Sequence, residues 1–474
     1  MKKSIKLFCA VAAALLLMFP FAACGKEKAT GEYVINAYKS DSRLKIMAWE
    51  CYFGGYNADG KLNQQYFDDC ADAGFTVLLP LWHQFDFANN QKQASDIMDC
   101  AEKAGLSVMV HDSDISGARY SDKSVWNTKN VHLYKDREGF LGLAMVDEPT
   151  ARDYTWIKAK HDKFLETFGA DTDKLFYTNL YPSFVGGGTL GAITFKAYLD
   201  DYLRVTGANI LSYDNYALFK DNSVRESFFS DAETARKVAK KHNTPAVNFL
   251  QAVPHTGMFN YKDPTEADLR WQIAVGMAYG LDGFAYFTYA SPYNGTDAWE
   301  YGDALVSNSQ FGTGGIKLEK YYYAQTVNKE ALAWDDVYLS FDWQKTYAMH
   351  AAAGNQRFEL FDLVQDVYDA EIDVIEGVKS VRSSRELLFG DFTDKDGNKG
   401  FMLTNATTPF EDKTASVTLE LNASGKNGQK AYAGVQVYER GVPRIIDLDK
   451  KGCVTIDVGP GDGTFVIPLV RNAK

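Results

Sequence analysis

The stretch FLGLAMVDEP, residues 140–149, decides how this chain is read. An unbroken run of apolar and small residues, Phe140 to Val146, ends abruptly in Asp147, Glu148 and Pro149. Strict polar/apolar alternation is missing, which is the pattern of a strand buried on both faces, as in a parallel sheet. The strand therefore delivers adjacent carboxylates at its C-terminal tip, and Pro149 ends it and fixes where they point. A local reading is available as well, because acids favour helix N-termini and proline starts helices.

Seven further runs have the same texture. They are LKIMAWE (44–50), FTVLLPLW (75–82), LSVMVHD (106–112), KLFYTNLYP (174–182), ANILSYDNY (208–216), TPAVNFLQAV (244–253) and DGFAYFTYAS (282–291). Segments of helical period fill the gaps. NQQYFDDCADAG and ASDIMDCAEKAG form a weak internal repeat, with Gly74 and Gly105 where a helix end needs a left-handed residue. DAETARKVAKKHN and EADLRWQIAVGMAYG precede the last two strands. Eight strands alternating with helices predict an α/β fold, a (β/α)8 TIM barrel over residues 41–337. A doubly wound open sheet is the competing architecture, but no glycine-rich dinucleotide fingerprint follows the first strand.

From about Leu339 the texture changes to short β-rich runs with turn signals, DKDGNKG among them. Residues 338–474 are expected to form a C-terminal antiparallel β-sandwich that packs on the barrel. At the other end, MKKSIKLFCAVAAALLLMFPFAACGKEK has a basic start, an apolar stretch and small residues before a cysteine. This is the pattern of a signal peptide over 1–23. Phe21-Ala22-Ala23-Cys24 resembles a bacterial lipobox, which implies lipid on Cys24, a spacer over 24–40 and a protein held outside the cytoplasmic membrane by acyl chains.

Composition narrows the partners. A net charge of −12 argues against nucleic acid and against an anionic membrane surface, so membrane contact is expected through the lipid anchor only. The chain carries 28 Tyr, 30 Phe and 8 Trp; exposed flat rings are what sugars stack on, although a large core accounts for them equally. Cys51, Cys70, Cys100 and Cys453 are dispersed, with neither CxxC nor zinc spacing, and read as buried small hydrophobes. No cofactor is expected.

In barrels of this kind chemistry gathers at the C-terminal strand ends. Here those ends carry Trp49-Glu50, Trp82-His83, His111-Asp112, Asp147-Glu148, Asn179, Tyr213-Asp214-Asn215-Tyr216, Gln251 and Tyr286 to Tyr289. Acids, amides, histidines and aromatics crowding one rim suit an uncharged polyhydroxylated ligand, an oligo- or polysaccharide. A carboxyl at a desolvated mouth can hold a proton near neutrality and act as general acid. His83 with Asp112 and Asp114 could suggest a metal, but no His-x-His accompanies them and no metal site is expected.

The Asp-Glu-Pro tip resembles the Asn-Glu-Pro end of the fourth strand in the large clan of retaining (β/α)8 glycoside hydrolases. The resemblance implies that Glu148 is the acid/base and Asp147 the contact to the sugar 2-hydroxyl. The clan's nucleophile, a Glu ending the seventh strand, has no counterpart, because that strand reads VNFLQAVPH with Gln251. Asp214, in LSYDNY, is the first substitute for the second catalytic carboxylate, and that stretch is also similar to the Tyr-Asp pair of chitinase-type barrels. Glu50 comes next, then Glu300 and Asp297. The expected substrate contacts are Asp147, Glu50, Trp49, Trp82, His83, Asn179, Tyr213, Gln251, Tyr286 and Tyr289. The sequence thus points to a lipid-anchored extracellular glycoside hydrolase. The alternative is a non-catalytic glycan-binding lipoprotein on the same barrel, for which Gln251 speaks.

Overall fold

The computed structural model describes residues 32–49, 56–79, 85–117, 123–255, 257, 259–292, 301–307, 315–349, 375–424 and 430–472. Cys24, Glu50, Cys51, Trp82, His83, Asp297 and Glu300 lie outside the described residues.

The eight expected runs are eight strands: β1 (Lys45–Trp49), β2 (Val77–Leu79), β3 (Ser107–Val110), β4 (Phe140–Asp147), β5 (Leu175–Leu180), β6 (Leu211–Asp214), β7 (Ala246–Gln251) and β8 (Gly283–Phe287). Each pairs in parallel with the next, and β8 pairs back to β1, closing the barrel. The helices are α1 (Gln64–Asp72), α2 (Gln91–Lys103), α3 (Ser113–Ser116), α4 (Tyr154–Phe168), α5 (Gly186–Leu190), α6 (Phe195–Thr206), α7 (Ser227–Lys241), α8 (Glu266–Ala278), α9 (Glu319–Leu332) and α10 (Asp335–Tyr338). Gly74 and Gly105, just past α1 and α2, take the left-handed φ values of 79° and 75° that their spacing requires.

Because side chains alternate across a strand, each strand feeds two cores. Met47, Val77, Leu79, Met109, Leu175, Tyr177, Val247 and Phe249 fill the barrel interior. The alternate residues, among them Ile46, Leu78, Phe176, Leu180, Tyr213 and Leu250, pack outward against the helices. Gly142 lets β4 and β5 approach closely: a Cβ there would stand 2.1 Å from the Leu175 carbonyl oxygen.

Beyond α10 the chain builds two antiparallel sheets. One holds β10 (Val378–Ser383), β13 (Ala415–Leu421) and β16 (Cys453–Val458). The other, in the order β15-β14-β17-β12-β11-β9, holds β9 (Phe341–Met349), β11 (Leu387–Asp394), β12 (Lys399–Asn405), β14 (Gly434–Glu439), β15 (Val442–Asp447) and β17 (Gly463–Leu469). This is the expected barrel followed by a sandwich. DKDGNKG is the β11–β12 hairpin, where Asp394 Oδ1 accepts the backbone N–H groups of Asp396 and Asn398.

Helix α8 joins the two parts. It is buried all round from Asp268 to Ala278, as a helix must be when it has a barrel on one side and a sheet on the other. Thr404 and Thr346 of the sheet donate hydroxyls to the Ala274 and Ala278 carbonyls at 3.1 and 2.8 Å. Arg270 reaches Glu266, Glu330 and Asp462, tying α8 to α9 and to the turn before β17.

Cys70 and Cys100 are buried, whereas Cys453 is only partly buried. Among the described residues no helix is long and apolar enough to cross a membrane. Gly142→Ala is expected to destabilise the chain by about 1–3 kcal/mol, because the added methyl meets backbone that cannot rotate away. Thermal unfolding checks this, and an unchanged melting temperature would contradict the packing described.

Candidate active site

The barrel mouth begins with a fault in β4. Its register to β5 shifts between Ala144 and Val146, a bulge that places Met145 and Val146 both in the outer core. Such bulges re-aim the side chains that follow. Asp147 consequently pairs with Asn179 of β5, and the Asn179 amide donates to Asp147 Oδ1 at 3.3 Å. Glu148 then adopts a left-handed φ of 49°, rare for a residue with a side chain. Its own N–H donates to the Asn179 carbonyl at 2.8 Å, so the unusual backbone is held from β5. A backbone conformation of this kind costs on the order of 1–3 kcal/mol and is retained where it aims a functional group. Pro149 is anchored as expected, its carbonyl accepting the Tyr198 hydroxyl at 2.5 Å.

A relay of hydrogen bonds runs beneath the acids. Tyr177 donates to Ser212 Oγ at 3.0 Å, Ser212 donates to Asn179 Oδ1 at 3.3 Å, and Asn179 donates to Asp147. Asn179 is thereby engaged at both ends of its amide, as the support that orients Asp147.

Asp214 ends β6 on the inward side, two residues beyond Ser212. It is 8% exposed, and its buried Oδ1 has no hydrogen-bond partner among the described residues. Burial pushes its carboxyl well above the usual range, and the charges of Glu148 and Asp147 push it further. Burial likewise raises Glu148, to about 7, with Asp147 adding repulsion. Asp147 is raised to about 6 by burial, partly offset by the Asn179 amide. Glu148 and Asp214 therefore belong to one electrostatic unit assembled from β4 and β6. Trp49 ends β1 beside the inner core, its ring edge-on to Phe249 at 5.8 Å.

A cleft of about 410 Å³ opens beside Glu148, lined by Lys123, Asp147, Glu148, Asp153, Trp156 and Tyr181 among others. Asp153 accepts from Thr150, from Trp156 Nε1 and from Lys123 Nζ, which lowers its carboxyl to about 2 despite burial.

Four expected substrate contacts are corrected. Gln251 is 0% exposed, and its side chain is spent on backbone: Oε1 accepts from Leu218 N–H, and Nε2 donates to the Leu218 and Lys262 carbonyls. It clamps two loops together, with its amide engaged at both ends. Tyr213 points outward into the core beside Phe195. Tyr286 also faces the helices, its hydroxyl donating to Asn328 of α9 at 2.7 Å. Tyr289 is buried edge-on against Phe75. The inward aromatics of these segments are Tyr216 and Phe287, with rings 5.3 Å apart. Once Asp214 is taken as inward, strand alternation already assigns Tyr213 outward. Of the acids weighed beside His83, Asp112 caps α3, and both Asp112 and Asp114 accept from Asn130. Trp156, Tyr181, Lys123 and Asp153 went unseen in the sequence; only Tyr181, one residue past β5, carried the signal of a strand end.

No protein-family model and no curated protein matches the chain. Among solved structures, the barrel is similar to glycoside hydrolases. An endo-β-1,4-mannanase from Thermotoga petrophila shares 9% identity over 89% of this chain and 91% of its own, with a TM-score of 0.38. A family 30 xylanase from Clostridium acetobutylicum shares 8% over 91% and 98%, with a TM-score of 0.40. An endo-α-mannosidase from Bacteroides thetaiotaomicron shares 12% over 62% and 97%, also at 0.40. These are similarities of fold, and no substrate is transferred from them.

The carboxyl cluster has a pH signature. A carboxyl that holds its proton more tightly in the folded chain costs nothing below its ordinary value, and its full cost is present above its folded value. For Glu148 that window runs from 4.5 up to about 7. Asp214→Asn removes a carboxyl whose ionisation the fold opposes and relieves its neighbours. Its melting temperature is expected to exceed wild type by about 2 °C or more at pH 8, with the gain vanishing at about pH 3, below the ordinary aspartate value of 3.8. A gain of equal size at both values would exclude the buried-charge origin.

Proposed function

We propose that the protein is a glycoside hydrolase, with Glu148 as general acid and Asp214 as the second carboxylate. The observation that carries this reading is the convergence of two carboxyls, the half-buried Glu148 at the tip of β4 and the buried Asp214 ending β6, at the C-terminal mouth of one barrel, where the charge of Glu148 acts on Asp214. Glu148, titrating near neutrality, can both give and retake a proton at working pH. It protonates the glycosidic oxygen as the bond to the anomeric carbon breaks, with the bonding electrons leaving on that oxygen. Water then supplies hydroxide to the carbon and returns a proton to the carboxylate.

Burial and the charges of Glu148 and Asp147 hold Asp214 toward its protonated form. It acts as the carboxylate, its proton passed to water before the bond breaks, and its negative charge faces the positive charge that grows on the sugar ring, which lowers the barrier. A carboxyl separation of roughly 5 Å corresponds to attack by Asp214 and retention, and one of about 6.5–9.5 Å to inversion through water. Asp147, held by Asn179 and one residue from the acid, takes the 2-hydroxyl in this reading.

Turnover of an oligosaccharide and aryl-glycoside panel by residues 25–474 tests the assignment. Glu148→Gln is expected to cut kcat/KM by about 10²–10⁴ on substrates with poor leaving groups. The anomer first released then distinguishes retention from inversion. A second reading, a glycan receptor, is favoured by the absence of an acid at Gln251. It would be adopted if nothing were hydrolysed while glycan binding survived Glu148→Gln.

We also propose that the enzyme works outside the cytoplasmic membrane, tethered through Cys24, on the strength of the leader and the small residues before that cysteine. Metabolic labelling with palmitate is expected to mark the wild type and to be lost in Cys24→Ser, with release from the membrane fraction. An unlabelled wild type would refute the anchor.

A further inference from the structure

Glu148 stands between two spaces. Toward the barrel axis its charge acts on Asp214 and on Tyr216, which packs on the inner core. On its other side it lines the cleft of about 410 Å³ whose walls include Trp156, Tyr181, Lys123 and Asp153 but neither Asp214 nor Trp49. A glycan bound with its scissile bond at Glu148 must place one unit over the axis and the next in this cleft. The proton donor serves the departing oxygen. We infer that the cleft is the leaving-group subsite and that it takes an uncharged pyranose unit through Trp156 and Tyr181. The inference rests on the hydrolase reading for its direction along the chain.

The cleft is built in advance. Trp156 lies in the first turn of α4, and its indole Nε1 donates to Asp153 Oδ1 at 2.9 Å. Asp153 is held in turn by the Thr150 backbone and hydroxyl at 3.1 and 2.9 Å. Lys123 Nζ sits 2.6 Å from Asp153 and 5.3 Å from the centre of the Trp156 ring. The aromatic wall is thus fixed at its polar edge before any ligand arrives, which reduces the ordering cost of binding. Tyr181 is positioned through its own N–H, which donates to the Tyr198 hydroxyl, while its phenol makes no hydrogen bond to another described residue. That phenol is free to meet a sugar hydroxyl. The volume falls in the range of about 300–1,000 Å³ typical of small-ligand sites.

Charge selects the ligand. Lys123 and Asp153 neutralise each other, and the acids beside them are held toward their neutral forms by burial. Among the described residues of the cleft, a uronate would meet no unpaired cation, and an amino sugar no unpaired carboxylate away from Asp147 and Glu148. An uncharged ring with hydroxyls around its edge matches what remains.

The test compares two substrates that share a glycone, a disaccharide and the corresponding glycosyl fluoride, using wild type, Trp156→Ala, Trp156→Phe and Tyr181→Phe. Fluoride leaves without filling the cleft. Trp156→Ala is expected to lower kcat/KM about ten- to a hundredfold on the disaccharide and less than about twofold on the fluoride. Trp156→Phe should recover most of the loss. Tyr181→Phe should raise KM on the disaccharide alone. Equal losses on both substrates, or none on the disaccharide, would overturn the subsite and leave hydrolysis standing. Preference for a uronate-bearing leaving unit over its neutral counterpart would overturn its uncharged character. If the wild type cleaves nothing, the hydrolase reading fails separately. Calorimetric titration with cellotriose, xylotriose, mannotriose and maltotriose then decides the cleft: binding weakened by Trp156→Ala supports it, and binding unchanged or absent in the wild type refutes it.

Discussion

A carboxylate removed from water costs free energy unless a partner answers its charge, and this barrel mouth gathers three acids, Asp147, Glu148 and Asp214. Lys123, which lines the adjoining cleft, is paired with Asp153. All three are shifted toward their protonated forms by burial, and Glu148 and Asp214 also by neighbouring acids. Everything around them serves to keep them there: the bulge in β4, the left-handed backbone at Glu148 and the relay from Tyr177 through Ser212 and Asn179. A site arranged in this way is unstable by design, since folding would be easier with amides in the same places. Persistence of such an arrangement is what points to chemistry.

The cost is carried elsewhere in the molecule. The closed barrel leaves no sheet edge, and its two cores, inside the strands and outside them, bury nearly every strand residue. The sandwich adds rigidity from a distance. By enclosing α8 it turns a helix with no polar face into the shared core of both parts, and Arg270 binds that helix to α9 and to the sandwich. The sandwich touches the side of the barrel that carries α8 and β7, and β7 contributes no acid to the mouth. Gln251 fits this division of labour, because an amide that clamps two loops holds the mouth in shape where a carboxylate would have introduced another buried charge.

The outer cleft gives the site a direction. Glu148 lines the cleft walled by Trp156 and Tyr181 and acts electrostatically on Asp214, so in the proposed reaction the proton donor would face both the sugar whose bond breaks and the group that departs. In such an arrangement binding energy from the remote unit is available to the transition state. The wall is assembled from the turn after β4 and the residue after β5, the same neighbours that set Asp147 and Glu148.

The architecture was legible because it rests on local patterns. Apolar runs, helical periods, left-handed glycines at positions 74 and 105 and a turn-rich tail each report their own element, and eight repeats of strand and helix admit few arrangements. The acid at Glu148 was legible for the same reason, since an apolar strand ending on carboxylates stands out in one dimension. What the sequence could not decide was facing and fate. Tyr213, Tyr286 and Tyr289 sit among strand-end residues but point into the outer core, and Gln251 is consumed by loops distant in sequence. A single bulge in β4 moves Asp147 and Glu148 relative to every other strand. The pairing of Glu148 with Asp214, and of Trp156 with Tyr181, joins residues separated by whole elements. Composition and periodicity are properties of neighbours along the chain, whereas a site is made by neighbours in space, and those appear only once the barrel has closed.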